Sequence, residues 1–246
     1  MPARNSFAKK TNASAFKNPS VFWRCLIAGF SLISLAFGFS VYCHATKVNT
    51  FEKLLVENVD YRLLGTNEES LRSFAKETIH YLTGEQEGWN PQITVAGFPA
   101  GSFIPQSFRD HMETVKNGFA VAKNVFWVML GLVSALLLGG IGARSGHRFS
   151  RSGYYTGASA AIAVIIAIGL WAYFDFNSLW QLLHKYFITD GIFSATEHIM
   201  QFFPISVFAG YLPPVMLTFG LLALAALILP RLPIFLLQGV ASKKKR

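Results

Sequence analysis

The sequence predicts an all-α integral membrane protein with four transmembrane helices. An extracytoplasmic, partly helical cap lies between helices 1 and 2, and an interfacial helix between helices 3 and 4. Three observations carry this reading. The 246 residues are 52% hydrophobic and 14% charged, with a mean hydropathy of +0.37, too apolar for a water-soluble domain of this size. Four runs, Val21–Cys43, Val121–Ile141, Tyr155–Phe174 and Leu212–Leu229, have the length of a span, roughly 17–25 residues. In lipid only helices and closed barrels satisfy their own backbone, so runs this continuous are read as helices.

The third observation is the segregation of charge. Thirteen basic residues have no acidic residue among them: Arg4, Lys9, Lys10, Lys17 and Arg24, then Arg144, Arg148 and Arg151, then Arg231, Lys243, Lys244, Lys245 and Arg246. All 13 Asp and Glu fall in the two remaining segments with nine Lys and Arg, a net −4. The positive-inside rule then predicts cytoplasmic termini and a cytoplasmic 142–154 loop. The overall +9 is a cytoplasmic rim on this reading, and no nucleic-acid partner is expected.

Taken in order, residues 1–20 read as a disordered cytoplasmic tail. The first span, 21–43, reads as an uncleaved anchor, because bulky Tyr42 precedes Cys43 where a lipidation site needs a small residue. Cys25 and Cys43 sit at opposite ends of that helix, too far apart for a disulfide. The cap covers 44–120. Apolar spacing predicts helices over Phe51–Leu64 and Glu68–Leu82, and then a Gly- and Pro-rich loop, Thr83–Pro105, with Trp89, Phe98 and Phe103 at the interface. Its own core looks thin, so it reads as a cap resting on the bundle.

The second span, 121–141, ends in Gly139-Gly140-Ile-Gly142, small residues that allow close helix approach. After the 142–154 loop and the third span, 155–174, comes the extracytoplasmic segment 175–211. In it Phe176, Leu179, Trp180, Leu183 and Phe187 keep helical register as an amphipathic interfacial helix, with His184 beside the stripe. An aromatic patch, Ile199–Phe208, is broken by Pro204. Pro213 and Pro214 open the fourth span, 212–229, and a basic tail, 230–246, follows.

Chemistry concentrates in Phe108–Gly118, directly before the second span. On a helix Arg109 and Glu113 are i,i+4 neighbours, Glu113 and Lys116 are i,i+3 neighbours, and His111 shares a face with Thr114 and Val115. Of six histidines, His147 lies among cytoplasmic arginines, His44 borders the first span, and His80 and His198 lie on outer helix faces. His111 and His184 both sit at membrane–water borders, with Lys116 and Lys185 close after them, which suits an acid/base pair. Metal ligation would use Glu113, Asp175, Asp190 or Glu197, but no His-Glu-x-x-His or paired-Cys spacing occurs, and no metal is expected. Without a nucleophile elbow, phosphate loop or dinucleotide fingerprint, no cofactor is expected either.

The run His111-Met-Glu-Thr-Val-Lys116 resembles the His-Met-x-Asp-Val-Lys signature of the lipoprotein intramolecular transacylase family, Lit. Phe174–Phe187 resembles its second signature, a Phe-rich stretch that closes on His-Lys. Glu197-His-Ile-Met-Gln-Phe-Phe-Pro204, followed by Phe208, is similar to its closing pattern of an acidic residue, Ile, Pro and Phe. Thr114 stands where the family usually has Asp, Glu197 replaces Asp, and Leu183 replaces Phe before the histidine. A carboxylate behind His111 then has to come from elsewhere, with Glu113 the candidate.

The resemblance implies a cell-envelope acyltransferase that acts on diacylglyceryl-cysteine at the N-terminus of a lipoprotein. The acyl chain on the glyceryl sn-2 ester moves to the cysteine α-amine and leaves an N-acyl lyso-form lipoprotein. Amine and ester arrive on one molecule, so proximity supplies much of the rate. The amine is largely protonated below a pKa of about 8 and needs a base. The resemblance assigns His111 and His184 as the acid/base pair. Lys116, Lys185, Tyr61 and Glu113 are supporting or oxyanion candidates, and the sequence does not choose among them. The expected partners are the diacylated lipoprotein and membrane lipids, with the oligomeric state open and a monomer compatible. Two other readings stand beside this one: a non-catalytic envelope chaperone or regulator, and another membrane lipid acyltransferase.

Overall fold

The computed structural model describes residues 19–138, 149–187 and 198–231. Both tails, the loop arginines Arg144 and Arg148, His147, Gly139-Gly140, Asp190 and Glu197 lie outside them. In chain order the helices are α1 (Pro19–Ala45), α2 (Val48–Asn58), α3 (Glu68–Thr83), α4 (Ala100–Phe103), α5 (Gln106–Leu138), α6 (Arg151–Phe174), α7 (Phe176–Phe187), α8 (Ile205–Ala209) and α9 (Leu212–Ile228). A two-residue hairpin, β1 (Thr94–Val95) against β2 (Phe98–Pro99), precedes α4. Short 3-10 turns at His198–Phe202 and Leu229–Arg231 flank the last two helices. Four of these helical stretches are long and apolar enough to cross a membrane: α1, α5, α6, and the run Ile199–Arg231 that contains α9.

The bundle is held by small residues. Gly29 of α1 lies against the Tyr154 carbonyl of α6, while Gly153 and Gly157 of α6 lie against the carbonyls of Phe22 and Leu26. A Cβ at any of the three would collide with backbone, so the α1–α6 seam needs glycine there. Tyr154 then donates to the Ala226 carbonyl of α9 at 2.8 Å, a buried polar tie across the third helix of the group.

The cap is built on another principle. Phe51, Leu55, Leu71, Phe74, Ile79 and Trp89 pack with Phe108 and Met112 from the start of α5 and with Ile199, Phe202, Phe203 and Val207 from beyond α7. The core is larger than the 44–105 stretch alone suggests, because three segments distant in sequence contribute to it. Asn67 caps α3 by accepting from the Ser70 amide at 2.8 Å. Gly84 ends α3 in the left-handed conformation, φ 82°, where a side chain is strained.

One helix joins the two regions. α5 runs unbroken for 33 residues, about 50 Å at 1.5 Å per residue. The stretch carrying His111 and the second span are therefore one rod, and the 120/121 boundary read from the sequence falls inside it.

Candidate functional site

α5 divides its polar residues between two faces. His111, Val115 and Gly118 follow an i, i+4, i+7 stripe, whereas Arg109, Glu113 and Lys116 project from the opposite side.

The first face turns His111 into the aromatic edge of the cap, where it is only 8% exposed. Its ring centre lies 5.8 Å from that of Phe108, which packs in turn on Trp89 and Phe203, each 5.6 Å away. His184 arrives from α7. The two imidazole rings are 6.2 Å apart with planes inclined by 21°. α7 orients His184 through its own preceding turn: Nδ1 is 3.0 Å from the Trp180 carbonyl oxygen, and the Trp180 ring lies 4.5 Å from the imidazole. Trp180 is itself stacked on Phe208 at 4.2 Å. A carbonyl only accepts, so this bond puts the proton on Nδ1 and leaves Nε2 as the basic nitrogen of a neutral ring. The pair thus offers a base and a second imidazole within reach of one small reacting group.

The second face borders an open cleft of about 450 Å³ lined by Tyr81, Trp89, Arg109, Glu113, Lys116 and Asn117, among others. Lys116 Nζ donates to the carbonyls of Gln86 at 3.0 Å and Glu87 at 3.2 Å, and sits 4.3 Å over the Tyr81 ring. Arg109 donates to the Trp89 carbonyl at 2.8 Å. Both cations fasten the loop after α3 to α5. Burial, with the Glu113 charge behind it, pushes the Tyr81 hydroxyl above its ordinary pKa.

Of the residues singled out from sequence, the structure brings His111 and His184 together. Glu113 and Lys116 meet at the cleft on the far side of α5. Lys185 extends over the ring of its neighbour Tyr186, 5.6 Å away, and Tyr61 is half-buried against the cap core. Sequence reasoning missed the frame of Trp89, Phe108 and Trp180 around the pair. Its one available signal was Trp180, a full helical turn before His184. Among the described residues no group of three or more His, Cys, Asp or Glu is placed to hold a metal ion.

No curated protein and no solved structure matches the chain. The model of one protein family, described as lipoprotein intramolecular transacylase Lit, matches residues 25–208. That region runs from within α1 to the Phe208 ring beneath Trp180, and so takes in the cap, α5, α7 and both histidines. The chain belongs to the lipoprotein intramolecular transacylase family.

Proposed function

We propose that the protein moves the sn-2 acyl chain of a diacylglyceryl-cysteine lipoprotein to the α-amine of the same cysteine. The observation that carries this reading is the apposition of His111 and His184, two imidazoles from separate signatures, in a chain of this family. In the reaction, Nε2 of one histidine, His184 by the orientation of its ring, takes a proton from the cysteine ammonium. The freed nitrogen attacks the sn-2 ester carbonyl, the bond from that carbon to the glyceryl oxygen breaks, and an amide forms. As the amide forms the nitrogen gives up a second proton; one of the two goes through the histidine pair to the departing glyceryl oxygen and the other to solvent. Counted from the free amine, atoms balance within one molecule, so the product is an isomer of the substrate and needs no acyl donor. The four apolar helices and the charge segregation support cytoplasmic termini, with the cap and the histidine pair outside at the membrane interface.

The test uses the purified protein and a synthetic diacylated lipopeptide, followed by tandem mass spectrometry. The expected product has unchanged mass, with one acyl chain on nitrogen and a monoacyl glyceryl group on sulfur. His111→Ala and His184→Ala should each lower turnover by about 10²–10⁴-fold in folded protein. A product heavier by one acyl chain would make this an intermolecular acyltransferase. An unchanged but tightly bound lipopeptide would favour the non-catalytic reading.

A further inference from the structure

α5 is the one described span that stands off the bundle. It packs along α1 and against α3 of the cap, and makes no comparable contact with α6 or α9. Only 6% of its most apolar stretch is buried, against 33%, 28% and 17% for the other three spans. Its two ends are nevertheless held: Phe108 and Met112 belong to the cap core, and Val133 is buried while Leu137 packs on the α1–α6–α9 core. Between them the helix touches α1, as where Phe126 stacks on Phe39 at 5.7 Å. α1 contacts α5, α6 and α9, and among the described spans it is the one that links α5 to the other two. The histidine pair joins α5 to α7, which leads directly out of α6, and so bridges α5 to α6 at the cap end.

The face of α5 that presents His111 to α7 continues down the span. His111, Val115, Gly118, Ala122, Val125 and Met129 recur at i, i+4, i+7, i+11, i+14 and i+18, one face of the helix. Its middle is the exposed part: His111 is buried and Val115 half-buried, Gly118, Ala122 and Val125 are exposed, and Met129 is half-buried again. Gly118 is not required by a close neighbour as Gly29, Gly153 and Gly157 are, since a Cβ there would meet nothing. From His111 to Met129 the stripe is about 27 Å long, comparable with a hydrocarbon core of about 30 Å.

We infer that this stripe is an acyl-chain slot, which seats the transferred chain of the diacylglyceryl substrate with its ester at the histidine pair and its tail along Gly118, Ala122 and Val125. The inference rests on the transacylase reading and deepens it. The ester must stand at the imidazoles while its chain stays in an apolar medium. The exposed face that continues directly from His111 is where both conditions are met without burying charge, because Arg109, Glu113 and Lys116 lie on the other face.

Two readouts test it on the full-length protein in detergent. Gly118→Leu and Ala122→Leu fill the slot while favouring helix, and Gly131→Leu, on the opposite face where a Cβ also meets nothing, is the control. With a lipopeptide bearing two hexadecanoyl chains the slot variants should lose about tenfold or more in kcat/KM. With octanoyl chains they should stay within about twofold, as should the control on both substrates. Equal loss on long and short chains, or no loss on either, overturns the slot. The second readout needs no turnover: a hexadecanoyl lipopeptide with a diazirine in mid-chain should crosslink to the 115–129 peptide of α5. Crosslinking there without any transacylation keeps the slot and removes the reaction. Transacylation with crosslinks confined to α6 or α9, or crosslinking by a diazirine phospholipid that excess lipopeptide does not displace, removes the slot and keeps the reaction.

Discussion

The cap and the bundle solve the same packing problem with opposite materials. The cap core is Phe, Trp, Leu and Ile, with Phe74 touching Trp89, Phe202 and Phe203 at ring distances of 6.0, 5.1 and 5.7 Å. The bundle seam is Gly and Ala with a few tyrosine ties, and large side chains such as Leu217 and Leu221 point outward, 69% and 64% exposed. The difference follows from solvent. In water, removing apolar surface drives folding, so bulk is placed inside. In lipid the outward face is already satisfied, and what holds helices together is close backbone approach and hydrogen bonds. α5 contributes to both cores, Phe108 and Met112 to the cap and Leu137 to the bundle, and the histidine pair stands at its cap end.

The largest effect that would break this contrast is in the cap. Phe74→Ala removes a fully buried ring and should cost about 3–5 kcal/mol of cap stability. Leu221→Ala in the bundle removes half as many carbons, all from a side chain that points outward, and should cost less than about 0.5 kcal/mol. Urea or thermal unfolding in detergent, read by tryptophan fluorescence for the cap, compares the two. Similar costs at both positions would mean that Leu221 faces protein, and that the bundle is packed differently.

Next comes the seam. Gly157→Leu puts a side chain into the Leu26 carbonyl and should cost about 1–3 kcal/mol through overpacking, although leucine favours helix more than glycine does. Gly220→Leu on α9, where a Cβ meets nothing, should be neutral or slightly stabilising. Thermal denaturation in detergent should rank them in that order. A Gly157→Leu protein as stable as the parent would mean that α1 and α6 are not in backbone contact.

The comparison also explains what was legible beforehand. The spans were readable because continuous apolar runs are a direct consequence of lipid as solvent, and Pro213 and Pro214 do stand in the first turn of α9. Short local patterns singled out the two histidines, but they carried no signal that the rings stand 6.2 Å apart. The cap core was underrated because its Phe202, Phe203 and Val207 arrive from the far side of two spans, a pairing with no local signal. The role of Lys116 was likewise hidden. Its nearest partners in sequence are Glu113 and Asn117, but its ammonium is occupied by the carbonyls of Gln86 and Glu87, about thirty residues earlier. Sequence spacing finds neighbours on one helix; it does not find the loop that folds over it.

The smallest effect expected is at the junction where α6 gives way to α7, and so to His184. Asp175 accepts from both the hydroxyl and the amide of Ser178, the amide bond at 3.1 Å, which is an N-cap for the first turn of α7. The Ser178 hydroxyl first, and its amide second, hold the Asp175 carboxyl below its ordinary pKa of 3.8. A depressed carboxylate pKa contributes stability that is present above the unfolded value and is lost as pH falls through the folded one. The cap is therefore intact at neutral pH and fails only in acid, starting below 3.8. Amide hydrogen exchange at residues 176–180, corrected for the intrinsic pH dependence, measures it. Asp175→Ala should exchange faster than the parent at pH 7 and lose the extra acid step, and Ser178→Ala should move that step to higher pH. The carboxylate is fully exposed, so the change in turnover should be slight compared with that of His184→Ala. If exchange at Ser178 were the same in parent and Asp175→Ala at pH 7, α7 would be positioned by its packing, chiefly Trp180 on Phe208, and the cap would contribute nothing to where His184 stands.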